Sequence, residues 1–320
     1  MNYPSLLQGA SIFFGFHPPA FAGGLPAIKV KMHIKEYGAG IYMLLSIASG
    51  KGGTGKTLVA VNMALSIGKA QLIDCDVEEP NVHLFLNPKI DNSYSVCTMV
   101  PSVEESLCNY CGECARFCVY NAIFVGSGKI LVFPEICHGC GGCVIVCPKD
   151  AIREERFEIG KVYLGTAADL KIVWGELGIG KPLAVPIIRE VKKYSRMHEV
   201  TIVDSPPGTS CPMINSVEGS DFCILVTEPT PFGLHDLKIA VKVLEEMEIP
   251  FGVIVNRAGI GNRRVYEYCK ERGIRILLEI PFSLRIAELY SKGIPFVEVM
   301  PEWKMSLKNV FEEVRGLVGK

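Results

Sequence analysis

The sequence predicts an α/β fold, a doubly wound and mostly parallel sheet built around a phosphate-binding loop and interrupted by a small inserted α+β module. Three observations lead there. Short Val/Ile-rich runs alternate with stretches of helical apolar spacing on both flanks of the chain. A glycine-rich segment, Gly50 to Thr57, directly follows the first of those runs. Eight of the 13 cysteines crowd into two dense runs between Cys108 and Cys147.

Composition agrees and excludes several classes. A chain of 320 residues with 49% hydrophobic and 21% charged residues has ample material for a core, so disorder is excluded for most of it. The near balance of 33 basic and 34 acidic residues leaves no global field to draw nucleic acid or an anionic membrane, and neither partner is expected. Mean hydropathy is high at +0.28. Yet no apolar run reaches the roughly 18 residues of a membrane span, and Val/Ile runs buried on both faces of a parallel sheet account for the value.

Residues 1–42 differ from the rest. Pro18-Pro19, Gly23-Gly24 and Pro26 break up a mixture of aromatic and small residues, and no basic stretch precedes the apolar 12–16, which fits a signal peptide poorly. They are expected to be a disordered extension or a mis-assigned start, with Met43 as the functional start. The first strand is expected at 44–48. The loop Gly50-Lys51-Gly52-Gly53-Thr54-Gly55-Lys56-Thr57 then fits G-x-x-x-x-G-K-[ST] and opens a helix that stops at Gly68. Its glycines let consecutive N–H groups turn toward phosphate oxygens, with Lys56 reaching the β- and γ-phosphates of ATP and Thr57 ligating Mg²⁺. A second strand at 70–74 leads into Asp74-Cys75-Asp76, and a third at 200–204 ends in Asp204, placed as an acid of the Mg²⁺ shell.

With Lys51 in second place, the loop resembles that of the deviant Walker A ATPases, the MinD, ParA, Mrp and nitrogenase iron protein type, whose pattern is K-G-G-x-G-K-[ST]. The resemblance extends from Met43 to the C-terminus. It implies an ATPase that works as a homodimer, with Lys51 crossing to the partner's phosphates. It also implies that Asp76 positions or activates the attacking water and that Asp74 sits near Mg²⁺. The segment Asp204-Ser205-Pro206-Pro207-Gly208-Thr209-Ser210 is similar to the Mrp-type switch, in which the amide of Gly208 would sense the γ-phosphate. Asn256, closing a strand at 252–256, matches the family's adenine-binding position.

Between Asp76 and Asp204 lie Cys108-x-x-Cys111-x-x-Cys114-x-x-x-Cys118 and, 29 positions on, Cys137-x-x-Cys140-x-x-Cys143-x-x-x-Cys147-Pro148. Both have the bacterial ferredoxin spacing. The echo continues from Asn121-Ala122-Ile123 to Asp150-Ala151-Ile152, an internal duplication expected to hold two [4Fe–4S] clusters with pseudo-two-fold symmetry. In that arrangement the fourth cysteine of each run serves the other cluster. One set is therefore Cys108, Cys111, Cys114 and Cys147, the other Cys137, Cys140, Cys143 and Cys118. Val119 stands where proline usually follows the fourth cysteine. Paired zinc sites and disulfides are the competing readings. Cys223 and Cys269 read as small core residues, and His138 as a spacing residue within the second run.

The expected domains are 43–103 with 159–320 as the ATPase, and 104–158 as the insert, whose ends must lie close together. Beyond the insert the pattern predicts strands at 161–164, 222–227 and 275–280, and helices at 185–194, 233–247 and 262–272. Trp303, Leu307, Val310, Phe311, Val314 and Leu317 share one helical face at the C-terminus. With Glu312 and Glu313 inside it and few basic residues, it reads as a core-docking helix and not a membrane anchor.

Three functions are open on the sequence. The preferred one is an ATP-gated electron donor passing electrons through two [4Fe–4S] clusters to an unidentified redox acceptor. The second is a cluster carrier of the Mrp type serving an apo-protein, although the C-x-x-C that Mrp-type proteins carry near the C-terminus is missing here. The third is a MinD-like positioning ATPase with redox-sensing clusters. Reduced thiols and the lack of an export signal imply the cytoplasm.

Overall fold

A computed structural model describes residues 42–319 of the chain. The expectations for residues 1–42 fall outside the described residues, Tyr42 apart. The strands are β1 (Met43–Ala48), β2 (Gln71–Asp74), β3 (Lys89–Val103), β4 (Ile123–Gly126), β5 (Lys129–Val132), β6 (Ile152–Ala167), β7 (Leu170–Leu177), β8 (Val200–Asp204), β9 (Phe222–Thr227), β10 (Phe251–Ala258) and β11 (Ile276–Pro281). Nine of them form one sheet in the order β11-β10-β9-β1-β8-β2-β7-β6-β3. All neighbours from β11 to β7 run parallel, while β6 and β3 join antiparallel at one edge. The chain works outward from β1 in one direction and, after β7, returns through β8 to build the other side. The carboxyl end of β1 is thus the switch point at which such sheets take ligands.

Helices cover both faces. On one side lie α1 (Lys56–Ile67) and α2 (Val82–Leu86), and on the insert α3 (Glu113–Phe117) and α4 (Gly142–Ile145). The opposite face carries α5 (Ala184–Lys192), α6 (Cys211–Val217), α7 (Pro231–Glu246) and α8 (Arg264–Glu271). Helices α9 (Leu284–Ser291), α10 (Phe296–Val299) and α11 (Pro301–Val318) return to the α1 face. Central strands bury both faces: Leu45 and Ile47 point into the α1 core, Leu44 and Ala48 into the opposite one. Helix α11 buries Leu307, Val310, Phe311 and Val314 against that same core, as its spacing predicts, and leaves Leu317 exposed. No described helix is long and apolar enough to cross a membrane.

The strands predicted at 200–204 and 222–227 have those bounds, the strand predicted at 161–164 is a short part of the 16-residue β6, and the other predicted elements shift by a few residues at their ends. What the pattern did not predict is a long antiparallel ribbon. β3 pairs with β6 from Lys89↔Thr166 to Val103↔Ile152, but β6 pairs with β7 only from Ala167↔Leu170 to Gly160↔Leu177. Past Gly160 the two strands pair only with each other, and residues 104–151, which join their ends, pack back against them, with Val100 and Phe157 meeting Ala122 and Cys137. Val103 and Ile152 are directly paired where the segment 104–151 leaves the ribbon, and residues 152–158, expected with the insert, form the first part of β6.

Candidate functional site

The loop between β1 and α1 curls as its composition demands. Gly55 caps α1 at φ +99°, a left-handed conformation that a side chain resists, and the Asn256 amide fills the space where its Cβ would sit. That amide donates to the Thr54 carbonyl at 2.8 Å, tying the loop to β10, while its oxygen accepts the Arg257 N–H at 2.9 Å. The side chain expected at adenine thus makes one hydrogen bond to the chain from each end, which leaves one N–H and one lone pair of the amide over. A cavity of about 380 Å³ opens over the loop, lined by Gly52, Gly53, Gly55, Lys56, Thr57 and Asp76, with Asn256 at its wall. Phe282 and Tyr290 complete it on the far side. Neither was picked out from the sequence, although Pro281-Phe282 closes a parallel strand at its carboxyl end, where ligands of such sheets bind.

Lys56 is buried, and its ammonium pKa is lowered by desolvation against the pull of Asp204, Asp76 and Asp74. Asp204 is wholly buried at the end of β8. Burial pushes its carboxyl up, with the Lys56 charge opposing, and neither carboxylate oxygen meets a hydrogen-bond partner. Two orphaned carboxylate oxygens beside the Thr57 hydroxyl form an oxygen donor set suited to a hard cation such as Mg²⁺. Asp74 is spent differently. Its oxygens accept the N–H groups of Asp76 at 3.0 Å, Asn81 at 3.0 Å and Val82 at 3.1 Å, so it shapes the loop that carries Asp76. Burial and Asp204 still hold its pKa well above the carboxylate range. Asp76 itself is pushed up to about 6, by burial first and then by Glu79 and Glu78, with Lys56 opposing.

Of the expected residues, Gly50, Lys51, Thr54, Asp74, Asp204 and Gly208 do not line the cavity. Gly50 and Thr54 turn with Lys51 to a narrow crevice on the α7 side. The Lys51 ammonium pairs with Glu228, an acid that no sequence motif marks. The Gly208 N–H donates to the Ser49 carbonyl at 3.1 Å, across the switch from the loop.

The eight cysteines of the insert fall around two cavities. One is lined by Cys118, Cys137, Cys140 and Cys143, the other by Cys108, Cys111, Cys114 and Cys147. The first has about 320 Å³ of room and the second about 10 Å³. All eight thiols are free. Among the described residues no three His, Cys, Asp or Glu converge as the ligands of a single ion must. The thiolates of a [4Fe–4S] cluster each bind a different iron and ring a space instead.

The duplication is visible in backbone detail. Tyr110 donates its N–H to the Cys108 sulfur and Gly139 to that of Cys137, both at 3.4 Å. Ala122 donates to Cys118 and Ala151 to Cys147, both at 3.3 Å. Left-handed residues repeat in step, Gly112 with Gly141 and Asn121 with Asp150. At Gly142 the requirement is space, because the Phe117 ring lies where a Cβ would be. Val119, in the usual proline position, is exposed, and His138 stacks on Tyr120 with ring centroids 3.5 Å apart. Of the other cysteines, Cys75, Cys223 and Cys269 are buried in the cores, Cys97 is half-buried in the ribbon, and Cys211 opens α6 exposed.

The model of the CobQ/CobB/MinD/ParA nucleotide binding domain matches residues 45–296. The chain belongs to that family. This makes it a MinD/ParA-type P-loop NTPase. A similar protein of Methanocaldococcus jannaschii, described as uncharacterised, is 32% identical over 284 residues, covering 86% of this chain and 97% of its own. An iron-sulfur cluster carrier protein of the same organism is 25% identical over 313 residues, covering 88% of this chain and 89% of its own. Among solved structures, the septum site-determining protein MinD with Mg-ADP from Pyrococcus horikoshii superposes with a TM-score of 0.55 at 21% identity, over 87% of this chain and 98% of its own. The likeness to MinD is one of fold.

Proposed function

We propose that this MinD-type ATPase is a nucleotide-driven dimer switch that holds two [4Fe–4S] clusters and governs one-electron delivery to an acceptor protein. The observation that supports it most is the division of eight thiols into two rings of four, each completed by the last cysteine of the other run. The donor chemistry fits: soft thiolates in sets of four, with backbone N–H groups directed at four of the sulfurs. When bound, such clusters supply one-electron storage at a potential set by charge and by hydrogen bonds to sulfur. Cys108, Cys111, Cys114 and Cys147 would hold one, and Cys118, Cys137, Cys140 and Cys143 the other. The insert that carries them would be a ferredoxin-like domain.

On the nucleotide side, the loop amides and Lys56 bind the phosphates of ATP, Thr57 and Asp204 hold Mg²⁺, and Asp76 orients the attacking water. Asp74 keeps the Asp76 loop in place through its three backbone hydrogen bonds. The Gly208 amide leaves the Ser49 carbonyl for the γ-phosphate, and Lys51 reaches the nucleotide of the partner subunit in a homodimer. The Asp76 loop leads through α2 straight into β3, so the segment that answers to phosphate continues into the ribbon that bears the cysteines.

The names of the iron-sulfur cluster carrier relatives favour a second reading, in which the chain hands on a cluster. One experiment separates the two. Protein purified without oxygen should contain about eight irons per chain, falling to about four in Cys140→Ser. Reduced protein should show a cluster potential that differs between ATP and ADP; about 59 mV corresponds to a tenfold change in a one-electron equilibrium. A potential and a reoxidation rate indifferent to nucleotide would end the electron-transfer reading. Iron appearing in an added apo-ferredoxin on ATP addition would establish the carrier reading in its place.

A further inference from the structure

Glu228 is a buried acid that the proposed mechanism does not use, and it holds two cations. It follows β9 directly, with a side chain only 9% exposed. One carboxylate oxygen pairs with the Lys51 ammonium and the other accepts from the Arg257 guanidinium at 2.9 Å. Its surroundings fix it firmly. Thr230 caps α7 by accepting the Gly233 N–H at 3.0 Å, and a Cβ on Gly233 would run into the Glu228 backbone. Burial raises the Glu228 pKa, but the two cations outweigh it and hold the group below the usual carboxylate range. Lys51 meanwhile lines the crevice on the α7 side, not the nucleotide cavity that Arg257 lines.

We propose that Glu228 is a positioning residue that keeps Lys51 on its own subunit, and that Arg257 stays behind to compensate Glu228 when the lysine leaves for the second nucleotide. This rests on the role of Lys51 across the dimer given above. Stripping a buried carboxylate of its only cation is strongly destabilising, because an unpaired charge remains. With two cations on one carboxylate, Lys51 can depart and leave a complete ion pair. The arrangement makes release of the lysine inexpensive and still sets a threshold for it, so the dimer forms only when a second phosphate chain offers the lysine a better partner.

The test uses the full chain with its clusters and reads ATP turnover and sedimentation against protein concentration. Glu228→Gln should lower the concentration of half-maximal turnover, and of half-maximal ATP-dependent dimer, by roughly five- to thirtyfold, the equivalent of about 1–2 kcal/mol. In a Lys51→Ala background, where turnover is expected to fall to a residual level, the same substitution should neither restore turnover nor lower the concentration at which dimer forms; a gain there would show that Glu228 acts without the lysine and would overturn the proposal. Glu228→Asp keeps the charge beside Arg257 while drawing it back from Lys51. It should shift the threshold in the same direction, and it serves if the amide variant does not fold. An unchanged or raised threshold in both variants overturns the proposal. If Lys51→Ala alone leaves turnover and its concentration dependence intact, the reading of Lys51 on which it rests has failed.

Discussion

At the scale of single residues, the site turns on how burial treats each carboxylate. Asp74, Asp76 and Asp204 sit within reach of one another's fields, and the fold gives each a different fate. Asp76 has a testable signature. A group that orients the attacking water must be ionised, so turnover should fall as pH drops through about 6, where the Asp76 carboxyl titrates. Stability should run the opposite way. Below its unfolded pKa of 3.8 the group is protonated in both states and carries no penalty; the penalty grows as pH rises and is complete above about 6. Asp76→Asn should therefore stabilise nucleotide-free protein at pH 7 by about 1–2 kcal/mol, a figure reduced for the partial exposure of the group, and the gain should shrink as pH falls toward 4. Urea unfolding at the two pH values measures it; a gain of equal size at both would remove burial of charge as its cause. The loop, the acids and the cysteine runs were legible because these chemistries need fixed residue types at fixed spacing. Glu228 was not, because a lone acid after a strand acquires meaning only from the cations that distant segments bring to it.

At the scale of elements, central strands and amphipathic helices were legible from apolar period alone. The C-terminal helix shows why, since one stripe of it meets the α1 core and the rest meets solvent. Phe311→Ala should cost about 3–5 kcal/mol, whereas Leu317→Ala, on the exposed rim, should stay within about 0.5 kcal/mol. Thermal unfolding compares them, and equal losses would mean that the helix is not docked as described. The ribbon was illegible for a physical reason. Most of Lys89–Val96 is exposed and polar, as in Lys89-Ile90-Asp91-Asn92-Ser93, so β3 carries little of the burial that sets an apolar period. Its strand character comes from pairing with β6, a partner more than sixty residues away for much of its length. The Asn256 assignment shows the same limit. The sequence marked the residue, while only the fold reveals that its amide holds the Thr54 carbonyl.

For the molecule as a whole, the cysteine-bearing segment is an appendage on a complete sheet. Val103 and Ile152 are paired across the ribbon, so replacing residues 104–151 by a tight two-residue turn should leave a closed hairpin. The shortened protein should still bind ADP while losing its iron, as calorimetry and iron analysis would show. Failure to bind ADP in a folded product would mean that the insert helps to shape the nucleotide site.

Beyond β7 the ribbon is itself part of the cysteine-bearing body. Val100 packs with Ala122 and Cys137, and Val103 lies beside Cys114, Ile123 and Ile152. Both groups of thiols therefore share packed neighbours with the one pair of strands that joins them to the sheet.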